Sequence, residues 1–376
     1  MNLQPENTQP LLVFLCGARD FHAMDWFRSA RQTLPNDRVC ILTDLIAGEG
    51  FKDLTLSDDR IFRLVVLDRY LLTYQSSFGN IWRNLVKLLV FPIQVWMVRR
   101  FDRQHPGARY FCHSMYYLFL AWAAGIHYLG TPQGSDVLIK PFRSRVYRFF
   151  AGKSLKAASH VTVDSKQMQE KILELCGVRA EVIQNGIDVR SILHFTGTRP
   201  AAPLARKYIL SIRGFTALYR IADIISARNR SAKHGDVPIA LRYPFYEATY
   251  RTQCLSLVRP GDEDVGRVDA EDIHRLFTEA RLVVSIPVSD SSPKSVYEAV
   301  FYGCAVAITH HAYFDDLPSC MRSRLILVDL QDPDWLDMAL EQADLITGTP
   351  YFPSQQAISA FDKVESFKKI SNLIFS

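Results

Sequence analysis

The chain has 376 residues, too many for one ordinary domain and enough for two well-filled cores without staples. Hydrophobic residues make up 48% and charged residues 22%, which excludes a disordered chain. The net charge of +5 is uneven: residues 1–190 hold 24 Lys+Arg against 17 Asp+Glu, the remainder 20 against 22, and residues 80–156 alone 12 against 2. A half this basic calls for an anionic partner: nucleic acid, a lipid surface or phosphate. The seven cysteines, Cys16, Cys40, Cys112, Cys176, Cys254, Cys304 and Cys320, are odd in number and lack C-x-x-C spacing. They argue against a disulfide framework or a zinc ribbon and for a reducing compartment. The polar start "MNLQPENTQP" has no basic n-region, and Leu11 to Cys16 is too short for a signal segment, so a cytoplasmic location is expected.

In chain order, "PLLVFLCGARD" predicts a buried strand and a turn at Gly17, followed by a helix around "FHAMDWFRSARQTL". "DRVCILTD" and "RIFRLVVLD" predict two more strands, and the alternation is that of an α/β chain. The first turn lacks G-x-G-x-x-G, which removes the main support for dinucleotide binding. Residues 82–98, "WRNLVKLLVFPIQVWMV", are the most apolar run. Arg83, Lys87 and Pro92 interrupt it, so it falls short of a spanning helix. Two readings stay open: a buried helix kinked at Pro92, or an interfacial segment with Trp82 and Trp96 near its ends and Arg99, Arg100 and Arg103 for lipid headgroups. "ARYFCHSMYYLFLAWAAGIHYLGTPQGSDVL" predicts strand, polar loop, helix, strand and a Gly-rich loop, and "RSRVYRFFAGKSLKAASHVTVDS" a basic helix running into a strand. "AEVIQNGIDV" predicts a strand ending in the Asn185-Gly186 turn. "FTGTRPAAPLARK" reads as a linker, which places a domain boundary near residue 196, and "KYILSIRGF" opens a second α/β run. The tail "SAFDKVESFKKISNLIF" predicts one amphipathic helix. There is no internal repeat and no low-complexity segment.

The densest chemistry lies in "SDSSPKSVYEAVFYGCAVAIT", residues 289–309, after the strand "ARLVVSIPV". Ser292 suits an N-cap and Pro293 the first helical position. The amides of Lys294 and Ser295, with the helix dipole and the Lys294 charge, then form an anion site. Glu298 stands i, i+4 from Lys294 on the same face. Phosphates on the amides and ribose hydroxyls on Glu298 fit a nucleotide at the carboxyl ends of parallel strands.

This stretch resembles the acid-x7-Glu motif of retaining GT-B glycosyltransferases of glycosyltransferase family 4, with Asp290 and Glu298 at the matching spacing. "AEDIHRLFTEARLVVSIPVSD", "VTVDSKQMQEKILELCGVRAEVIQNGID" and "KYILSIRGF" resemble other segments of the family, and the resemblance covers most of residues 110–320. It implies two Rossmann-like domains facing each other across a cleft. We place an acceptor-binding domain at residues 1–195 and a nucleotide-sugar-binding domain at 196–360, with a C-terminal helix, about 360–376, able to pack back on the first. It implies that Glu298 holds the ribose, that Asp290 contacts the donor sugar, and that Arg213, Ser292, Lys294 and Ser295 hold the diphosphate, with Gly17 also on the donor side. His113 would lie near the sugar, and "GSDVL", with Gly134, Ser135 and Asp136, would be a loop facing the acceptor.

The implied activity is transfer of a sugar from a nucleotide-diphosphate sugar to a glycan or lipid-linked glycan, with retention and without a metal or cofactor. It would serve polysaccharide or glycoconjugate biosynthesis, at or near the inner face of the cell membrane. The chain departs from the family in three places. Tyr219 stands where a lysine is usual, with Arg220 beside it; Ser291 replaces a common glycine; and "PIALRYPFYEATY" has no glycine turn but offers Arg242. These departures motivate an alternative, a catalytically weak GT-B-like subunit that holds a glycan or a second transferase. A nucleic-acid partner is not expected, because the basic residues alternate with long apolar runs and no nucleic-acid motif is present.

Overall fold

The computed structural model describes residues 10–46, 53–68, 77–197, 206–268 and 270–376, with the backbone alone for 77–81, 270 and 271. Two compact units form: the described residues up to Asn185 together with Lys363–Ser376, and Gly186–Asp362. The first unit begins with β1 (Leu12–Cys16), α1 (Phe21–Thr33), β2 (Val39–Thr43), β3 (Ile61–Arg63), α2 (Ser77–Gln104), β4 (Arg109–His113) and α3 (Met115–Ala124). It continues with β5 (Tyr128–Gly130), α4 (Gly134–Leu138), α5 (Lys140–Arg143), α6 (Arg145–Ala157), β6 (His160–Val163), α7 (Lys166–Cys176) and β7 (Glu181–Val182). Its seven strands are parallel, in the order β3-β2-β1-β4-β5-β6-β7.

The second unit holds α8 (Val189–Gly197), β8 (Tyr208–Ser211), α9 (Ile221–Arg230), β9 (Ile239–Arg242), α10 (Ala248–Leu255), β10 (Glu263–Gly266), α11 (Ala270–Glu279) and β11 (Ala280–Ser285). Then come α12 (Lys294–Phe301), β12 (Val306–Ile308), α13 (Tyr313–Asp316), α14 (Ser319–Arg322), β13 (Leu325–Leu327), α15 (Trp335–Thr347) and α16 (Gln355–Phe361). Its six parallel strands run β10-β9-β8-β11-β12-β13. α17 (Lys363–Phe375) returns to the first unit.

Parallel strands covered on both faces read as continuous apolar runs, which is why "LVFLC" and "RLVVS" stand out in the sequence. In β1, Val13 and Leu15 enter a core with α2, α3, α6 and α7, through residues such as Val98, Leu118, Leu155 and Ile172. Leu12, Phe14 and Cys16 enter the opposite core with α1 and α17, through Trp26, Phe27, Phe367 and Ile370. In β8, Ile209 and Leu210 divide in the same way between the two cores of the second unit. Strand order reverses between β1 and β4 and again between β8 and β11. In such sheets ligands bind outside the carboxyl ends at that switch point.

Three local expectations change. Residues 195–197 of the expected linker belong to α8, 206 and 207 precede β8, and 198–205 lie outside the described residues, as does the start "MNLQPENTQ". The predicted tail helix is two helices, α16 and α17, broken at Asp362, whose backbone is extended (φ −71°, ψ 127°). The break falls where the chain passes from the second unit back to the first. α2 runs unbroken through Pro92. The hydrogen bond that proline cannot donate belongs to the carbonyl of Leu88, on the exposed side of the helix, where water can replace it. The buried stripe of α2 is Val86, Gln94, Val98 and Phe101, while Leu88, Leu89, Ile93 and Trp96 are exposed, so the fully buried reading of residues 82–98 does not hold. Among the described residues, no helix is long and apolar enough to cross a membrane. All seven cysteines are free; Cys176 and Cys320 are partly exposed and the other five are buried.

Candidate functional site

In the second unit, Arg213 lies two residues past β8 and Asp290 five past β11, at the carboxyl ends that flank the switch point. The Arg213 guanidinium donates from Nη2 to Asp290 Oδ2 at 2.5 Å and from Nη1 to Ser295 Oγ at 3.0 Å. It stacks 4.5 Å above the ring of Tyr219. Asp290 is held further by the Ser291 amide at 2.9 Å, and both side chains of the ion pair are largely covered. Gly214 follows because the Phe245 ring occupies the space that a Cβ would need.

α12 starts at Lys294, one residue later than the sequence suggested. Pro293, not Ser292, is the N-cap residue, with an extended backbone (φ −80°, ψ 91°). The Pro293 carbonyl accepts from Val296 N at 2.9 Å, so the amides of Lys294 and Ser295 precede the helical ladder. Lys294, Ser295 and Glu298 are half-buried at this end of the helix. Arg242 closes β9, the neighbour of β8. Burial lowers its pKa and the Glu298 carboxylate opposes that shift, which places the two charges near one another. Among the described residues the Arg242 Nε has no hydrogen-bond partner although it is buried. Arg213, Asp290, Ser295, Lys294, Glu298 and Arg242 thus share one edge of one sheet. Three cations and a helix N-terminus against two carboxylates can hold a diphosphate, and the Asp290–Ser295–Tyr219 cage holds Arg213 in place beforehand.

In the first unit, Gly17 follows β1, and a Cβ there would come within 3.0 Å of the Tyr117 hydroxyl. That hydroxyl donates to the fully buried Asp44. His113 is the last residue of β4 and is buried. Its Nε2 lies 3.7 Å from Asp20 Oδ1 and 3.3 Å from Gln133 Nε2, while its buried Nδ1 has no partner among the described residues. Asp20 caps α1 by accepting from His22 N at 2.9 Å and Ala23 N at 3.2 Å, and it takes the Gln133 amide at 2.7 Å. His22 in turn lies 3.0 Å from the Asn185 side-chain amide. Gly134, Ser135 and Asp136 belong to a short helix, α4, where a loop was expected. Asp136 is buried there, accepting from Met115 N, Gln133 N, Tyr147 Oη and Lys140 Nζ.

Sequence reasoning missed Asp20, His22, Gln133 and Asp44. The N-cap pattern at Asp20 was the one available signal; Gln133 and Asp44 join through contacts far apart in the chain. Burial pushes the Asp20 carboxyl up, but the charges of His113 and His22 and the two capping amides outweigh it, so the pKa is lowered. A carboxyl that titrates lower in the folded chain stabilises fully above its ordinary value of about 3.9, and this is lost as pH falls through the lower folded value. Asp20→Ala is therefore expected to cost about 1 kcal/mol near neutral pH. Chemical denaturation should show the gap closing in acid; a constant gap would separate Asp20 from the two histidines. Among the described residues, no group of three or more His, Cys, Asp or Glu side chains is placed to hold a metal ion.

No protein-family model matches the chain, and comparison with curated proteins gives no match. Solved structures do match. Anabaena HepE in complex with UDP and glucose is 14% identical, with 98% of this chain and 100% of that chain covered and a TM-score of 0.69. Sucrose-phosphate synthase from Thermosynechococcus elongatus is 13% identical, with 96% and 98% covered and a TM-score of 0.68. The lipopolysaccharide outer core galactosyltransferase WaaB in its apo form is 13% identical, with 97% and 99% covered and a TM-score of 0.63. At these identities the likeness shows the fold.

Proposed function

With the GT-B fold as premise, we propose that the chain transfers a sugar from a nucleotide-diphosphate sugar to a hydroxyl of a glycan or lipid-linked glycan, with retention, in polysaccharide or glycoconjugate biosynthesis. The observation that carries this reading is the caged Arg213 at the β8–β11 switch point, beside the N-terminus of α12. UDP and glucose in the HepE structure supply the kind of donor we have in mind.

The difficult step is departure of the nucleoside diphosphate as the sugar gains positive charge. Negative charge then grows on the β-phosphate, where Arg213, Arg242, Lys294 and the α12 amides oppose it in a preorganised array. These cations supply the neutralisation without a metal, and the nucleotide sugar is a substrate rather than a bound cofactor. Glu298 takes the ribose hydroxyls, and Asp290 is assigned to the donor sugar. Residues 82–100 would bring the first unit to the inner face of the membrane, where a lipid-linked acceptor resides.

A second reading, a partner subunit with weak turnover, rests on Tyr219 at the lysine position. Thermal denaturation with a panel of nucleoside diphosphates tests the donor site. At 100 times its dissociation constant, the correct one should stabilise the chain by roughly 2.7 kcal/mol. No shift with any of them would end the sugar-transfer reading. Binding without hydrolysis or transfer of the matching nucleotide sugar would favour the partner reading.

A further inference from the structure

We propose that α5 and α6 form a second membrane-docking arm beside α2, and that the two arms together seat the first unit on an anionic bilayer. This extends the membrane contact of α2 that accompanies the sugar-transfer reading, but it is tested by a readout that does not depend on transfer.

An apolar surface faces outward on both helices. Of the 23 large hydrophobic side chains exposed among the described residues, six lie on α2 and five between Ile139 and Phe150. On α6 the inward stripe is Ala151, Ser154 and Leu155, which are buried against the core. The outward stripe, Val146 and Phe149, is 67% and 58% exposed, and Phe142 of α5 is 49% exposed. On α2, Leu89, Ile93 and Trp96 repeat at helical spacing on the outer side. A surface helix ordinarily turns polar residues outward, so both helices present apolar side chains that stay exposed among the described residues.

The two arms meet across one helix. Both α2 and α6 pack on α3. Arg99 of α2 donates to the Ala123 and Ala124 carbonyls at 2.7 and 3.0 Å, and the neighbouring Trp122 ring lies 5.9 Å from Phe150 of α6. α2 and α6 therefore flank the C-terminal end of α3.

Charge selects the occupant. Residues 140–156 hold six Lys+Arg and no Asp or Glu. Cations also accompany the exposed rings: Arg100 lies 5.5 Å from the Trp96 ring and Lys153 5.7 Å from the Phe149 ring. Apolar tips ringed by cations fit the boundary between acyl chains and anionic headgroups. A nucleic acid would take the cations but leave Leu88, Leu89 and Phe149 in water. A second copy docked through the same face would set like charge against like charge.

Co-sedimentation of the full chain with phosphatidylcholine vesicles, with and without phosphatidylserine, tests the proposal. Binding should require phosphatidylserine and weaken as salt rises. Arg145→Gln, Arg148→Gln and Lys153→Gln together should reduce it by about 100-fold, at about 1 kcal/mol per basic residue. Val146→Ser with Phe149→Ser should reduce it at least about ten-fold. Stability of each variant is checked by thermal denaturation, and its nucleoside diphosphate binding should match the parent. Equal binding to both vesicle types, no binding, or full binding by the α6 variants would overturn the proposal. So would a dimer, without vesicle binding, that the α6 variants convert to a monomer. Vesicle binding by a chain that binds no nucleoside diphosphate would sink the sugar-transfer reading and leave this one standing.

Discussion

Arg213→Ala is expected to lower kcat by about 10²–10³-fold, the usual cost of removing one preorganised donor from a developing anion. The effect should fall on turnover more than on affinity for nucleoside diphosphate, because the leaving group gains negative charge on the way to the transition state. The ion pair adds a complication that can be measured. Asp290 Oδ2 lies 2.5 Å from Arg213 Nη2, so in the proposed site removing the arginine would leave that carboxylate facing the diphosphate. Part of any loss in affinity will then be repulsion by Asp290. Arg213→Ala combined with Asp290→Asn should recover affinity but not turnover. The double variant therefore separates lost attraction from exposed repulsion, a pairing for which additivity is not expected. An unchanged kcat in Arg213→Ala would move leaving-group stabilisation to Arg242, Lys294 or Arg220.

Glu298→Ala is expected to weaken nucleoside binding by about 1.5–3 kcal/mol, or roughly 10–150-fold, through loss of charge-assisted hydrogen bonds to ribose. Its proximity to Arg242 gives the prediction a second edge. Without Glu298, Arg242 loses the negative charge that opposes its burial and can turn its full charge to a phosphate. The free nucleoside should therefore suffer more than the nucleoside diphosphate. Calorimetry with both ligands on the same variant reads the difference directly. Equal affinity of parent and variant for the nucleoside would remove Glu298 from the site.

The fold was legible because buried parallel strands are written as apolar runs. The turn expected at Asn185-Gly186 does not form; these two residues are irregular backbone where the first unit passes into the second. The family resemblance implied that Arg213, Asp290 and Ser295 belong to one site, but not that Arg213 donates to both of the others. What escaped was geometry set by partners distant in sequence. Gln133 joins Asp20 across 113 positions, and no local pattern announces that contact. The start of α12 shifted by one residue because the extended backbone at Pro293 delays the first helical turn. The tail broke at Asp362 because the chain changes units there, a tertiary demand that helical periodicity does not register. For α2 and α6, composition gave the apolar residues but not the face they occupy. Inward positions such as Val98 and Leu155 were already sufficient for the core, leaving Trp96 and Phe149 outside it.

The distribution of thiols gives the chain a built-in pair of reporters. Cys16, Cys40, Cys112, Cys254 and Cys304 are sealed inside, and a buried thiol reacts slowly because its thiolate is disfavoured. The two that reach the surface fall one in each unit, Cys176 in the first and Cys320 in the second. Burial still raises the Cys176 thiol, so a maleimide should enter there slowly and in a pH-dependent way. Graded labelling of the unaltered sequence can thus place a fluorescent donor in one unit and an acceptor in the other. Energy transfer between them would follow how the units respond to nucleotide in solution, with no engineered cysteine and no removal of native ones.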